Sequence, residues 1–195
     1  KENLYIKSNK SYPVISSTKK KLPIDITFFN HAFLSVKSKN ISFVTDPWAL
    51  GPAFNTGWWL KKNTRNDWLK VVDMCDFIYI SHNHPDHLHP ITLREINKNK
   101  LIITPKFKSR SVSKLLEDLK FKNILELDFD QEYYWEKSEF IFSLFKSGDF
   151  REDSGIYFSI GEFNALFDVD SNNINFNKLP KVDLYASSFA GGASG

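Results

Sequence analysis

From Ile24 onward the apolar residues gather into short β-rich runs separated by polar and turn residues. Residues 24–29, 33–36 and 41–45 read as three strands of an antiparallel meander. A short helix over residues 67–72 follows, and then 77–80 supplies four consecutive apolar residues, the pattern of a fully buried strand. Pro90 suits a first helical position, and Thr92 with Glu95 three residues later resembles a capping box, so a helix is expected to about Asn97. A strand over 101–104 comes next. Residues 109–120 place Val112, Leu115, Leu116 and Leu119 at i, i+3, i+4 and i+7, the stripe of an amphipathic helix, before a further strand at 124–127. This alternation predicts an α/β layer. Beyond Glu132 the runs 140–145, 156–160 and 165–167 return to a β-meander. Residues 1–23, a polar Ser/Lys/Asn stretch closed by Lys19, Lys20 and Lys21, read as a lead-in that packs weakly.

Composition narrows the function only a little. The chain has 195 residues and a formal charge of +3, and its 26 basic residues are scattered rather than gathered into a stripe, which argues against nucleic acid. The single cysteine, Cys75, leaves no internal disulfide, four-cysteine zinc site or Rieske cluster within this chain, and points to a reducing compartment. With no apolar run near the roughly 18 residues of a membrane span and no signal-peptide pattern, the expected location is the cytoplasm. Residues 48–66 form a Gly/Pro/Trp-rich excursion of the kind that covers a site.

The chemistry concentrates in one place. Four of the five histidines, His82, His84, His87 and His89, fall within eight residues, directly after the predicted strand at 77–80. On a strand-to-helix loop, His82 and His84 at i and i+2 can point the same way, while Asp86 and His87 turn toward a second point about 3.5–4 Å off, the spacing of a two-metal centre. Imidazole and carboxylate suit zinc, iron and manganese alike. His89, at the helix start, reads as a cap or a residue behind the ligands, with substrate contact as the lesser role.

The stretch Ser81-His82-Asn83-His84-Pro85-Asp86-His87 resembles the HxHxDH signature of the metallo-β-lactamase fold. The segments Asn30-His31-Ala32-Phe33 and Thr45-Asp46-Pro47 resemble elements of the branch that contains L-ascorbate-6-phosphate lactonase and N-acylphosphatidylethanolamine phospholipase D. Asp46-Pro47-Trp48, Gly51-Pro52-Ala53-Phe54, Gly57-Trp58-Trp59-Leu60, Asp67-Trp68-Leu69 and the Gly-rich run at 189–195 carry the likeness further, toward the catalytic domain of the CMP-N-acetylneuraminate hydroxylase family. The resemblance implies an αββα sandwich of which residues 24–195 form the amino-terminal part, completed by a missing segment or a partner. It implies that His82 and His84 serve one metal and Asp86 and His87 the second, with Asp46 orienting a ligand imidazole from behind and His31 near the site. Because no histidine follows His89, Asp149 is the candidate carboxylate for the first metal, unless it is a plain hairpin residue; Asp170 fits the bridging position better than Asp168. Asp86 and Asp170 are the carboxylates expected at the reacting centre.

Three functions remain open on these residues. The first is an iron-dependent oxygenase acting on a sugar nucleotide, N-acyl compound or other anionic small molecule, with Trp48, Trp58 and Trp59 as a pocket wall and electrons from a separate protein. The second is a zinc-type hydrolase of a lactone, amide or phosphodiester. The third is a degenerate domain that binds without catalysis. The Trp/Gly loop and Asp149 favour the first, the missing Rieske cysteines the second, and the missing downstream histidines the third.

Overall fold

The computed structural model describes residues 4–6, 23–135, 138–147, 151–171 and 173–188. Asp149 and the Gly-rich run at 189–195 lie outside the described residues. By contacts the chain divides into two compact units, one built from residues 24–37 and 41–127, the other from 1–23, 38–40 and 128–195.

The first unit holds a six-stranded sheet in sequence order. Strands β2 (Asp25–Asn30), β3 (Phe33–Lys37) and β4 (Ser42–Thr45) form the expected antiparallel meander. From β4 the sheet turns parallel through β5 (Phe77–Tyr79), β6 (Leu101–Pro105) and β7 (Asn123–Leu127). Parallel neighbours need crossover connections, and α1 (Trp68–Met74), α2 (Pro90–Glu95) and α3 (Ser111–Asp118) lie in them. The parallel strands are apolar along their length because both faces are covered: Phe77, Ile78 and Tyr79 are all fully buried, and Phe43 stacks on Phe77 with ring centroids 4.9 Å apart. Helix α3 buries Val112 and Leu116, two positions of its predicted stripe.

The start of α2 departs from the expected capping box but keeps the expected histidine: the cap is His89 rather than Thr92, its side chain accepting the Thr92 backbone N–H. The Thr92 hydroxyl instead partners His89 Nδ1 at 2.9 Å and accepts the backbone N–H groups of Ala49 and Leu50. With Pro90 at the first helical position, the residue just before it must cap, and that residue is a histidine rather than one of the common short polar caps.

The second unit holds the other sheet, ordered β1-β8-β9-β10-β11-β12. Its centre is the antiparallel trio β9 (Phe140–Lys146), β10 (Ser154–Ile160) and β11 (Phe163–Val169). All seven residues of β10, the strand between β9 and β11, are buried. Two further strands, β8 (Tyr133–Trp135) and β12 (Leu184–Ser187), extend it, the latter running parallel to β11. Strand β1 (Leu4–Ile6), inside the segment read as a lead-in, pairs antiparallel with β8. A cluster of Phe145, Tyr157, Leu166 and Ile174 anchors the loop after β11, with Leu179 and Val182 packed against it.

Candidate metal centre

Strand β5 runs straight into the histidine loop, and the loop is tied down from both sides. Ile80 donates its backbone N–H to Ile103 of β6 at 3.0 Å, and both His87 and Leu88 donate theirs to the His84 carbonyl, which curls residues 84–88 into a tight turn. His82, Asp86, His87 and His89 are each at most 2% exposed. Buried imidazoles and carboxylates persist only when their polar atoms are satisfied.

Asp46 does most of that satisfying. It follows β4 with φ of +37°, its backbone N–H bonded to Tyr79 across the sheet, and this sends its fully buried carboxylate beneath the loop. Oδ1 accepts the Ser81 backbone N–H at 2.7 Å. Oδ2 accepts the Ser81 hydroxyl at 2.6 Å and faces His87 Nδ1 at 3.0 Å. A carboxylate only accepts, so His87 carries its proton on Nδ1 and presents Nε2 as an electron-pair donor. The Ser81 hydroxyl, its proton given to Asp46, accepts from His82 Nδ1 at 2.9 Å, which leaves His82 Nε2 in the same state. One carboxylate thus sets the tautomer of two imidazoles, the arrangement found behind metal ligands.

The nitrogens so prepared converge on other donors. His82 Nε2 lies 2.8 Å from His84 Nδ1. His87 Nε2 lies 3.5 Å from Asp86 Oδ2 and 3.4 Å from His31 Nε2, and His31 Nε2 lies 2.8 Å from Asp86 Oδ2. The ligand atoms of His31, Asp86 and His87 all fall within 4.8 Å of one another. Such a convergence of ring nitrogens and a carboxylate suits a shared cation, and Asp86 Oδ1 is buried with no hydrogen-bond partner. Burial works to raise the Asp86 pKa, but the hydrogen bond from His31, helped by the polar His87 ring beside it, outweighs that and holds the carboxyl below its ordinary value. The residues present therefore fit a divalent transition metal, and nitrogen with carboxylate oxygen is a donor set that iron, zinc and manganese share.

Sequence reasoning put His31 merely near the site; the structure brings it against Asp86. Ser81, the relay between His82 and Asp46, is a residue that the motif alone does not mark as functional; a hydroxyl directly before the first histidine is the signal for it. Trp48 is buried, 3% exposed, with its indole N–H on the Gly51 carbonyl and its ring against His31 and His89 at 5.4 and 5.7 Å. Trp58 and Trp59 are exposed, at 53% and 67%. Phe54, not singled out from the sequence, stands between Trp58 and His84, its ring 4.9 Å from the former and 6.3 Å from the latter. His89 has its Nε2 on the Pro52 carbonyl at 3.1 Å, and burial holds its pKa below the ordinary value, so it sits as a neutral structural ring. Asp170 belongs to the other unit, directly after β11, beside a register shift that leaves Val169 at φ of +57°.

Comparison with known proteins gives the family. Cytidine monophosphate-N-acetylneuraminic acid hydroxylase of Asterias rubens is 34% identical over 177 residues, covering 88% of this chain and 27% of the relative. That of Xenopus laevis is 35% identical over 180 residues, covering 88% of this chain and 30% of the relative. The chain thus spans under a third of the length of these relatives. Among solved structures, CmlA, a diiron beta-hydroxylase from Streptomyces venezuelae, superimposes with a TM-score of 0.62 at 19% identity, over 85% of this chain and 34% of that one. Isothiocyanate hydrolase from Delia radicum gut bacteria does so with a TM-score of 0.58 at 17% identity, over 75% of this chain and 62% of that one. Residues 25–151, from β2 through the histidine loop and beyond β9, match the Beta-lactamase superfamily domain, and the chain belongs to that family, as the amino-terminal part of a metallo-β-lactamase-like fold.

Proposed function

We propose that this chain carries the metal centre of a hydroxylase-like oxygenase that works with iron on a sugar nucleotide, an N-acyl compound or another anionic small molecule. The observation that carries the reading is the Asp46 carboxylate, which fixes His87 directly and His82 through Ser81 with both Nε2 atoms turned to neighbouring donors. His82 and His84 would hold one ion and Asp86 and His87 a second. Iron held by such a set would supply the oxygen chemistry of a non-haem hydroxylase.

The chain's own residues orient and exclude. Asp46 keeps a proton on His87 Nδ1 and, through Ser81, one on His82 Nδ1, and so stops either ring from turning its basic nitrogen away. Trp48 closes the inner side of His31, and Phe54 with Trp58 stands beside His84, the apolar flank against which a substrate would lie. The similarity to the two hydroxylases supports this reading over the alternatives. Because the single cysteine allows no Rieske centre in this chain, electrons would come from another protein or another segment.

The same cysteine count favours the hydrolytic alternative, in which zinc occupies the centre. Elemental analysis of protein purified without added metal, together with absorption spectra under anaerobic and aerobic conditions, decides between them. One or two equivalents of iron with an oxygen-sensitive spectrum is the expected result. Zinc alone would replace the oxygenase reading with a hydrolase, and a protein that takes up no metal under reconstitution would overturn both.

A further inference from the structure

We infer that His31 is itself a metal ligand, the third donor beside Asp86 and His87, rather than a residue that merely lies near them. The inference rests on the metal-centre reading above and adds a donor to it. Bonds of about 2.0–2.2 Å to a shared ion put neighbouring donor atoms roughly 3 Å apart in octahedral and roughly 3.4 Å apart in tetrahedral geometry. The three edges of the His31–Asp86–His87 triangle measure 2.8, 3.4 and 3.5 Å, which are the edges of such a polyhedron. The buried Asp86 Oδ1, which has no hydrogen-bond partner, gives the same carboxylate an acceptor to spare for that ion.

The backbone around His31 is shaped to deliver this ring. His31 sits in the β2–β3 turn at φ of +43°, a left-handed conformation that a histidine adopts at some cost and that clusters at functional positions. The turn is pinned on both flanks. Thr45 Oγ1 donates to the Ala32 carbonyl at 2.6 Å and accepts from the Leu34 backbone at 3.1 Å, while the Asn30 side chain donates to Thr64 Oγ1 at 2.6 Å. Trp48 then packs edge-on to the imidazole, which fixes its plane. The sequence has this residue in Asn30-His31-Ala32, 51 positions before the first histidine of the HxHxDH motif, so spacing gave no hint of a shared ion.

Cobalt(II) titration of the metal-free protein tests the assignment, because d–d absorption reports ligand number independently of activity. Two substitutions avoid a folding artefact: His31→Gly and His31→Asn, both residues at home in a left-handed turn. The wild-type chain is expected to bind two equivalents. Each variant should keep the equivalent held by His82 and His84 and bind the other at least tenfold more weakly, with a shifted d–d spectrum. Added imidazole should restore the spectrum in His31→Gly, where the ring is missing but its space remains. Two equivalents bound by both variants with wild-type affinity and spectrum would overturn the role of His31 while leaving the centre intact. A wild-type chain that binds no cobalt would overturn the centre and this inference together.

Discussion

Asp46 is a residue whose charge matters more than its volume. Asp46→Asn keeps the shape but replaces one acceptor oxygen with an N–H donor, so the side chain can no longer accept the Ser81 backbone N–H on one side and the Ser81 hydroxyl and His87 on the other. We expect metal affinity to fall about 10- to 100-fold with little change in fold, measured by competition with a chromogenic chelator; unchanged affinity would show that the tautomers are set elsewhere. His84 and His89 separate ligand from scaffold. His84→Ala should remove most bound metal, whereas His89→Ala should keep its stoichiometry and lose about 1 kcal/mol from the missing α2 cap, read by elemental analysis and thermal melting. Cys75 offers a check on the interior. Burial pushes its thiol from 9.0 up to about 12, and its Sγ–H lies 3.0 Å from the Val72 carbonyl. The folded chain therefore holds this proton longer than the unfolded one, and the stability this contributes is complete below pH 9.0 and disappears as the pH rises toward about 12. Native protein should resist iodoacetamide at neutral pH and react only on unfolding; rapid alkylation of the folded chain would contradict the burial.

At the scale of elements, period and turn chemistry made most strands and all three helices legible, each within about two residues of its observed ends. What escaped has physical reasons. Strand β12 alternates half-buried and exposed residues over only four positions, so no apolar run announces it. Strands β1 and β8 have three residues each, too short to announce themselves, and β1 finds its partner β8 only far along the chain. The histidine loop was legible because its ligands are local; His31 and Ser81 gained their partners only when β3, β4 and β5 were laid side by side. Glycine 155 in β10 shows how close the central strands lie to the turn after β11. A Cβ there would stand 2.9 Å from Asp168 Cα and 2.9 Å from Ile174 Cδ1. Gly155→Ala should lower stability by about 1–3 kcal/mol in chemical denaturation, the range for overpacking a closed interior; a neutral result would mean that β10 and β11 separate easily.

At the scale of the whole molecule, each unit has its own sheet and its own buried residues, and the histidine loop with Asp46 and His31 lies within one of them. No helix among the described residues is long and apolar enough to cross a membrane. A metal that binds only folded protein stabilises it by mass action, about 2.7 kcal/mol at a free concentration one hundred times the dissociation constant. Chelation should accordingly lower the calorimetric melting temperature by several degrees, and chelated and loaded protein melting together would exclude a folded-state metal. The loading itself should not be two separate events. His82 and His87 lean on the same acceptor, so any ion that draws electron density from one ring strengthens its N–H bond to the Asp46–Ser81 pair and alters what that pair can offer the other. Linkage of this kind is reciprocal: whatever free energy the first ion lends or denies the second, the second returns. The centre should therefore fill with a slope that departs from independent sites, and Ser81→Ala, which severs only the His82 arm, should bring the two sites back to independence.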